Sequence, residues 1–487
     1  MKKFIFVVLL GFLATPAAAQ NVTCATRPVG DNSNACASTA FVKSVGVTPP
    51  TTTKLGGVYA FSGVTSQWPW QLNADGTWTL KQPSSTDVTF TQSGSGAGTI
   101  TVQDVLRRTV SIDDFQAAGD GITDDASHLN AATASLGSTG GTVELSCPKN
   151  YAILSNVTIP PNVIVKHCRG DMKVGQGGTW ASPASIQQQP HVNLASTATI
   201  TISGNAGYDG VIFRAGATFP VANASAYAGT ALKLAAGGAN DTRVSALIVG
   251  FAVCFDGTTG GDRYRLDIEC DGNPSAGSGA VIIGPSYDTS YAKIRTWPWG
   301  TTFSASPVNT RTGYGIQILS GAQDDSHFDL LDFGHDYGIV TAANGNVHYT
   351  HIFADNNTAY GLRIYGNDRS SFDAVWVYAG HGIRIENNAA INFGYILCDN
   401  TAVASSSCIE TAAGVSPIVN VGFFDSKGSQ SYGINIGSTT ARVNVASGSM
   451  VTTNGSAAPY IVGVAGWTAD QVTLGPSFTT DLSAGLS

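Results

Sequence analysis

Tyr314-Gly315-Ile316 is the first of five copies of a motif that decides the fold of this chain. The other copies are Tyr337-Gly338-Ile339, Tyr360-Gly361-Leu362, His381-Gly382-Ile383 and Tyr432-Gly433-Ile434. Successive glycines lie 23, 23, 21 and 51 residues apart, so the last interval spans two periods. A period of about 22 residues with one turn per copy is typical of a solenoid, in which each repeat buries its apolar face against its neighbours.

Each repeat is predicted to hold two strands. Alternation along a strand sends Ile316 and Ile318 to one face and Gln317 to the other. The same alternation predicts inward side chains at Leu362, Ile364, Ile383, Ile385, Ile434 and Ile436, and an outward column of Gln317, Val340, Arg363, Arg384 and Asn435. The second strand reads Phe328-Asp329-Leu330, Phe372-Asp373-Ala374 and Phe393-Gly394-Tyr395 in three of the coils. Two strands per coil in fixed register predict an all-β parallel β-helix.

Composition agrees with a β protein and excludes several classes. The chain has 487 residues, 57 of them glycine, with 12% charged and 43% hydrophobic residues. So few charges argue against a coiled coil, and so many apolar residues argue against a long disordered chain. A net charge of −8 argues against a nucleic acid or an anionic membrane surface as partner. A neutral or carbohydrate partner fits this balance better.

The first 19 residues are predicted to be a signal peptide. Lys2 and Lys3 precede an apolar run from Phe4 to Leu13, and Ala17-Ala18-Ala19 forms a cleavage signal. The run is shorter than the roughly 20 residues of a membrane span, and no later stretch qualifies. We therefore expect an exported protein, secreted or periplasmic. Residues 20–110 read as a separate N-terminal module with a hairpin at Leu72–Leu80 and helical turns within Val102–Val110.

Eight cysteines follow the predicted cleavage site, and an even number in an oxidising compartment indicates disulfides. Pairing of sequence neighbours predicts Cys24 with Cys36, Cys147 with Cys168, Cys254 with Cys270, and Cys398 with Cys408. The spacing expected of a zinc site is absent from the sequence, so no metal is predicted on these thiols.

A helix is predicted next, because Ala126, Leu129, Ala132 and Leu136 share one helical face before Gly137. Around it, the segments Asp114-Phe115, Gly119-Asp120-Gly121-Ile122-Thr123-Asp124-Asp125 and Gly140-Gly141-Thr142-Val143 resemble the first part of the pectate-lyase-like superfamily. That resemblance implies a right-handed β-helix over residues 111–475, with the helix capping its mouth and a C-terminal tail at 476–487.

Upstream segments resemble bacteriophage tail proteins. Thr91-Gln92-Ser93-Gly94 and Val102-Gln103-Asp104-Val105-Leu106-Arg107-Arg108 are similar to the connector that precedes the β-helix of tailspikes. Gly30-Asp31-Asn32-Ser33-Asn34 and Ala37-Ser38-Thr39-Ala40-Phe41-Val42 are similar to another recurring tail segment. The resemblance implies an attachment module at 20–110, a polysaccharide partner, a homotrimer and, as an alternative location, the virion tail. The signal peptide departs from that pattern.

Candidate catalytic residues come from the repeat register. Asp332, Asp355 and Trp376 each lie six residues before the motif glycine of their coil, which predicts one stacked column. Neighbouring strands are about 4.8 Å apart, close to the spacing of the two carboxylates in a retaining glycosidase. An indole beside the pair would serve as a platform for a sugar ring.

A second pair is Asp329 and Asp373, each nine residues before its glycine and two coils apart. Their separation, about 9.5 Å, would fit an inverting pair. Counting from the glycine places Ile352 between them, whereas an even spacing places His351 there. Only His351 keeps an outward polar column, and both registers remain open.

Other interpretations of these residues are structural or metal-dependent. Aspartates at β-helix turns often bond backbone amides. Paired aspartates could also hold Ca²⁺ as in pectate lyases, with Arg363 or Arg384 binding a substrate carboxylate; alternatively both arginines form a surface ladder with Glu386. No other cofactor is expected. The favoured function is hydrolysis of a bacterial surface polysaccharide, and the alternatives are non-catalytic glycan binding in a tail-type protein and a Ca-dependent lyase.

Gly380-His381-Gly382 resembles an element of polygalacturonases, but the aspartate pair of that family is replaced by Ala359 and Tyr360. His381 is therefore predicted to fill the turn position held by Tyr337 and Tyr360 in neighbouring coils.

Overall fold

The structure is a computed structural model. It describes residues 70–72, 78–80, 89–91, 99–106, 108–167, 190–237, 239–302, 304–366, 370–378, 381–399, 407–427, 432–451 and 461–480. The predicted signal peptide, Cys24, Cys36 and Cys168 lie outside these residues.

Short elements make up the described part of the N-terminal region. Strands β1 (Trp70–Leu72) and β2 (Trp78–Leu80) pair antiparallel, which confirms the predicted hairpin. Strands β3 (Thr89–Thr91) and β4 (Thr99–Thr101) form a second antiparallel pair. The predicted helical turns are present in α1 (Val102–Leu106), and the chain is extended again at Thr109. Residues from Val102 onward form one compact unit.

That unit is a parallel β-solenoid of about 12 turns with very few helices. One wall is a 17-stranded sheet, named the long sheet. Its strands are β5 (Thr109–Ser111), β6 (Asp120–Asp124), β7 (Gly141–Leu145), β8 (Asn150–Ile153), β10 (Val163–His167), β11 (Val192–Leu194), β13 (Gly207–Arg214), β15 (Arg243–Phe251), β17 (Arg265–Gly272), β19 (Tyr291–Thr296), β21 (Ala322–Phe333), β23 (Asn344–Asp355), β25 (Ser371–Tyr378), β27 (Ala390–Asp399), β29 (Ile418–Lys427), β31 (Arg442–Val451) and β33 (Val472–Thr480).

The opposite wall is a 12-stranded sheet, named the second sheet. Its strands are β9 (Val157–Ile159), β12 (Ile200–Ile202), β14 (Thr230–Leu234), β16 (Val253–Gly257), β18 (Gly279–Ile283), β20 (Arg311–Ile318), β22 (His335–Thr341), β24 (Tyr360–Ile364), β26 (Ile383–Ile385), β28 (Ser407–Thr411), β30 (Tyr432–Ile436) and β32 (Ile461–Gly463). The strand pairs of both sheets are parallel, and from β13 onward the chain alternates between the two sheets, which confirms two strands per coil.

The first coils differ from the later ones. Strands β5, β7 and β10 form one short ladder, and β6, β8 and β11 form another. Both ladders meet at β13, whose first half pairs with β10 and whose second half pairs with β11. The long sheet is therefore continuous across its width only from β13 onward, and the later, wider coils offer the larger outward surface.

The core fills the space between the two sheets. Every side chain predicted to point inward from the second sheet is fully buried, from Ile316 to Ile436. From the long sheet, aromatic rings stack through successive coils, with Tyr349 and Phe372 parallel at 4.4 Å between ring centroids. Stacking of this kind adds about 0.5–1.5 kcal/mol per pair beyond area burial.

Helix α2 (Ala126–Leu136) closes the N-terminal end of the core. It buries Ala126, Leu129, Ala132 and Leu136, the face predicted from the sequence, and it contacts β7 and β9. The turn before it is held by Asp120, which accepts hydrogen bonds from the backbone amides of Ile122 and Thr123. Those bonds lower the pKa of Asp120, so this acid has a structural role in the turn.

Two predicted disulfides are present in the described residues. Cys254 bonds Cys270, and Cys398 bonds Cys408. Each joins a strand of the second sheet to a strand of the long sheet, so each ties together the two walls of the solenoid. The described residues also include no helix long and apolar enough to cross a membrane.

Candidate functional site

The candidate site lies on the outward face of the long sheet. On β21 to β29, outward side chains stack strand over strand into columns along the solenoid axis. The Asp355 column consists of Phe333, Asp355, Tyr378, Asp399 and Lys427; the Trp376 column consists of Leu331, Phe353, Trp376, Leu397 and Asp425; the His351 column consists of Asp329, His351, Ala374, Tyr395 and Phe423. Because strands lie about 4.8 Å apart, these columns form a rigid grid.

Aromatic side chains dominate the middle of this grid. Trp376 and Tyr378 lie on β25 and are 44% and 39% exposed. Val375 and Val377, which alternate with them along the strand, are buried. Phe353 supports the Trp376 indole edge-to-face at 4.7 Å. The Trp376 ring is therefore supported from the side by Phe353 on the preceding strand, and both Trp376 and Tyr378 remain exposed, which suits stacking against a sugar ring.

Asp355 ends β23 at the edge of this aromatic surface. It pairs in register with Tyr378 on β25, so Trp376, two residues earlier on that strand, lies diagonally across from it. Burial raises the pKa of Asp355 to about 6, and the negative charge of Asp332 adds to the increase. Near pH 6 this carboxyl group can therefore donate a proton.

Asp399 is a second carboxylate in the same column, and the sequence interpretation missed it. It lies opposite Tyr378 on the other side from Asp355, two strand spacings or about 9.5 Å away. Its Oδ1 is buried and has no hydrogen-bond partner among the described residues. Lys427 follows in the column, and its ammonium group pairs with Asp425 of the Trp376 column at 3.1 Å. In the sequence, only the position of Asp399 directly after Cys398 could have drawn attention to it.

Asp332 is not part of the outward grid, so the predicted stack of Asp332, Asp355 and Trp376 is wrong. Asp332 is fully buried and lies opposite Ala354, while Asp355 lies opposite Phe333. Its carboxylate accepts hydrogen bonds from Thr296 Oγ1, from His335 Nδ1 at 2.7 Å and from Asn357 Nδ2 at 2.6 Å.

The cause of this error is a change in the length of the corner between the two sheets. Three residues, 334–336, connect Phe333 to Tyr337. Four residues, 356–359, connect Asp355 to Tyr360 in the next coil. Residues at the same distance before their motif glycines are therefore out of register by one between these two coils. A shift of one residue in a strand exchanges its inward and outward side chains.

His351 is the residue opposite Asp329, as the even spacing predicted, and Ile352 is buried. The pairing shifts by one residue between Phe328 and Asp329. On the far side of His351 lies Ala374, so the predicted column of Asp329 and Asp373 is also wrong. Asp373 is exposed one residue before Ala374, and neither aspartate lies in the column of Asp355.

Arg363 and Arg384 lie on the second sheet, away from this grid. They lie in the predicted outward column, in which Glu410 occupies the strand between those of Arg384 and Asn435. Arg363 Nη2 bonds Glu386 at 2.7 Å, and Arg384 bonds both Glu386 and Glu410. The guanidinium groups also cover tyrosine rings, with that of Arg384 5.2 Å from Tyr360. This is the surface ladder considered as an alternative.

His381 continues the tyrosine column of the second sheet. Its ring centroid lies 5.3 Å from that of Tyr360, which in turn packs against Tyr337. His381 therefore continues the column of Tyr337 and Tyr360, as predicted, although those tyrosines lie in strands β22 and β24 rather than in turns.

A groove of about 720 Å³ adjoins the grid on its N-terminal side. Its lining reaches Asp329 on β21 and Thr350 on β23, and it includes Tyr291 and His327, whose ring centroids lie 5.2 Å apart in a stack. The His348 ring continues this stack, with its centroid 5.2 Å from that of His327. On the C-terminal side, a depression of about 460 Å³ is lined by Asn392, Asn420 and Asn444, which are joined by amide hydrogen bonds. The outward surface is thus continuous over many strands.

Loops cover one edge of the long sheet. The outward residues of β13 and β15 are buried beneath Phe219, Tyr227 and Trp299. A buried ion pair of Asp271 and Arg311, 2.9 Å apart, fixes these loops, and Tyr227 donates to the same carboxylate at 3.0 Å. Trp297 packs against Phe333 with their ring centroids 4.4 Å apart. Phe333 lies one strand before Asp355, so the part of the long sheet that the loops cover ends next to Asp355.

Among the described residues no group of three histidine, cysteine, aspartate or glutamate side chains is arranged to hold a metal ion.

The fold can be compared with known structures. No protein-family model and no curated protein sequence matches the chain. The A-module of mannuronan C-5 epimerase AlgE6 from Azotobacter vinelandii is 14% identical, with a TM-score of 0.52 over 78% of this chain and 99% of that one. A mutant tailspike protein of E. coli bacteriophage HK620 in complex with a hexasaccharide is 12% identical, with a TM-score of 0.47 over 81% of this chain and 84% of that one.

These likenesses concern the fold, since identity is below 15% in both cases. The stacked parallel strands, the capping helix and the agreement with the epimerase module identify this protein as a right-handed parallel β-helix.

Proposed function

We propose that this protein binds a polysaccharide along the outward face of the long sheet and hydrolyses it with Asp355 and Asp399. The observation that carries the proposal is the position of the two carboxyl groups, one strand on either side of Tyr378 and beside Trp376. A bacterial surface polysaccharide is the substrate class we favour, and we propose an exported protein, consistent with the two disulfides.

Hydrolysis of a glycosidic bond requires an acid and a base, and the two residues would divide these roles. Asp355, with its pKa raised to about 6, serves as the general acid that protonates the leaving oxygen. Asp399 serves as the general base that takes a proton from the attacking water. Carboxyl groups about 6.5–9.5 Å apart leave room for that water and give inversion at the anomeric carbon. The spacing of two strands lies at the upper end of this range.

The surroundings favour a polymer as substrate. The aromatic rings of Trp376 and Tyr378 lie between and beside the acids, and Phe423 extends the apolar surface at 42% exposure. The histidine stack on one side and the asparagine ladder on the other extend polar contacts along the solenoid axis. The epimerase module and the tailspike, which have similar folds, are named as proteins that act on mannuronan or bind an oligosaccharide.

The test is incubation of the purified protein with a panel of bacterial surface polysaccharides, followed by measurement of new reducing ends and of chain length. For a cleaved polymer, Asp355→Asn and Asp399→Asn are each expected to lower the rate about 100-fold or more. The control is Asp324→Asn, an exposed acid near the start of β21.

Full activity in both variants would overturn the catalytic assignment. Retention of a polysaccharide with no shortening by the wild type would indicate the binding protein considered as an alternative.

A further inference from the structure

We propose that the depression beside the asparagine ladder is a subsite for one uncharged sugar unit of the polysaccharide. The inference rests on the polysaccharide binding proposed above, and it concerns a part of the bound chain that the two acids do not contact. The depression has a volume of about 460 Å³ and lies on the outward face of β27, β29, β31 and β33. Sites for small ligands have volumes of about 300–1,000 Å³.

One wall of the depression is a row of asparagine amides in fixed orientation. Asn420 Nδ2 donates to Asn392 Oδ1 at 3.0 Å, and Asn444 Nδ2 donates to Asn420 Oδ1 at 2.9 Å. An amide group has two N–H donors and an oxygen with two lone pairs, so the ladder leaves one donor and one lone pair of Asn420 for a ligand. A donor and an acceptor side by side match two adjacent hydroxyl groups of a sugar ring. Because the ladder orients them in advance, binding does not have to order this side chain.

The floor of the depression is free of long side chains. Gly422 on β29 and Ala446 on β31 occupy equivalent positions of neighbouring strands, and both are exposed. Gly475 on β33 lines the depression as well. A ring of the ligand can therefore approach the sheet closely at these positions.

A ring face borders the floor on the side away from the amides. Tyr395 and Phe423 stack with their ring centroids 5.4 Å apart and their planes at 15°. The next residue in this column is Ser447, so the stack of rings ends at Phe423, which is 42% exposed. Asn420 and Phe423 thus flank Gly422 on the same strand. A hydrogen-bonding amide on one side and an apolar ring on the other fit a pyranose, which has hydroxyl groups at its edge and C–H groups on its faces.

The absence of charge favours an uncharged sugar. None of the described residues that line the depression is ionisable, whereas Arg243, Arg265, Lys293 and three aspartates line the groove of about 720 Å³. Arg442 and Asp373, which are of opposite charge, lie beside the depression on β31 and β25 but do not line it. An acidic sugar would give up the hydration of its carboxylate there without gaining an ion pair from the lining residues.

The depression is separated from the proposed catalytic acids along the strands. Asn392 and Asp399 lie at opposite ends of β27, which puts them roughly 20 Å apart in an extended strand. A sugar in the depression is therefore several units away from the bond that is cleaved. Loss of this subsite should weaken binding of the polymer and leave the two acids undisturbed.

The experiment measures binding of the full chain to an array of bacterial surface oligosaccharides with known neutral or acidic repeating units. Ala446→Leu fills the depression. Ala446 is a better position than Gly422, where a Cβ would lie 2.7 Å from the Gly394 carbonyl oxygen. The matched control is Ala413→Leu, which adds the same atoms at an exposed alanine after β28 of the second sheet.

The wild type and Ala413→Leu are expected to retain oligosaccharides that contain an uncharged sugar. Ala446→Leu should bind them about tenfold more weakly or worse, with an unchanged thermal melt. If Ala446→Leu does not fold, Asn420→Asp decides. It is nearly the same size, it replaces the amide donors by a carboxylate, and it should cause a similar loss.

Unchanged affinity in the folded variant, or an equal loss in Ala413→Leu, would overturn the subsite. Retention only of oligosaccharides in which every sugar is acidic would overturn its assignment to an uncharged unit. If the wild type retains no oligosaccharide, both this inference and the polysaccharide binding proposed above fail. The array requires no cleavage, so full activity of Asp355→Asn and Asp399→Asn would overturn the catalytic assignment and leave the subsite standing.

Discussion

Asp355 and Asp399 face each other across Tyr378, each one strand away from it in the same outward column of the long sheet. Strands of a solenoid cannot slide independently, so the fold fixes the backbone of these two residues two strand spacings apart. Asp355 is half-buried, and burial raises its pKa to about 6. In the function proposed above, Asp355 supplies the acid and Asp399 the base of an inverting hydrolysis.

The first prediction concerns stability against pH. The pKa of Asp355 is about 6 in the folded protein and 3.8 is its ordinary value, so the folded state holds the proton more tightly. The resulting stabilisation is present below pH 3.8 and is lost as the pH rises through 6. Asp355→Asn, which cannot ionise, should therefore gain stability relative to the wild type between pH 4 and pH 7.5, on the order of 1 kcal/mol after allowance for solvent screening.

Thermal melts of both proteins at the two pH values measure this difference. A relative stability that does not change with pH would show that Asp355 has an ordinary pKa.

The second prediction concerns the aromatic surface. Trp376→Ala and Tyr378→Ala should each weaken polysaccharide binding about tenfold, because a lost stacking contact costs about 0.5–1.5 kcal/mol in addition to the lost apolar area. Tyr365→Ala is the matched control, since Tyr365 is 38% exposed but follows β24 of the second sheet. Calorimetric titration with the polysaccharide gives the affinities. Equal losses in all three variants would argue against a site on the long sheet.

The third prediction concerns the arginines of the second sheet. Arg384→Ala removes ion pairs to Glu386 and Glu410 and the contact with the Tyr360 ring. We expect a lower free energy of unfolding, by about 1 kcal/mol, as for a partly exposed ion-pair network. Denaturant unfolding measures this effect. A loss of polysaccharide affinity with unchanged stability would instead place the substrate on the second sheet.

The fourth prediction separates the two disulfides. Removal of either, by Cys254→Ser with Cys270→Ser or by Cys398→Ser with Cys408→Ser, should cost about 2–4 kcal/mol of stability. Cys398 directly precedes Asp399 on β27, whereas the other pair lies several coils away. At a temperature where both variants are folded, only loss of the Cys398 bond should lower the cleavage rate. Equal rates in the two variants would show that this disulfide does not position Asp399.

Much of the fold could be predicted because it depends on local patterns. Alternation around Ile316 or Ile434 identifies the inward face without knowledge of any distant residue, and these side chains are fully buried. The repeated glycines occupy one position of successive second-sheet strands, as at Gly338 and Gly361, and cysteines close in sequence lie on adjacent strands. These features follow from the period of the chain and from the side-chain period of a strand.

The site could not be predicted in the same way, because a column depends on the number of residues in every corner and bulge. One additional residue between Asp355 and Tyr360 places Asp332 inside and Asp355 outside, although both lie six residues before their glycines. The shifted pairing after Phe328 likewise separates Asp329 from Asp373. Trp376 does lie near Asp355, but diagonally across from it, because the residue directly opposite Asp355 is Tyr378.

The central claim is that Asp355 and Asp399 act as an inverting pair, and the configuration of the first product tests it most directly. Proton NMR during the first minutes of cleavage should show a newly formed reducing end with the anomeric configuration opposite to that of the bond cleaved. Retention of configuration would contradict a water-mediated mechanism between these two acids. An unsaturated product would contradict hydrolysis and indicate the lyase alternative.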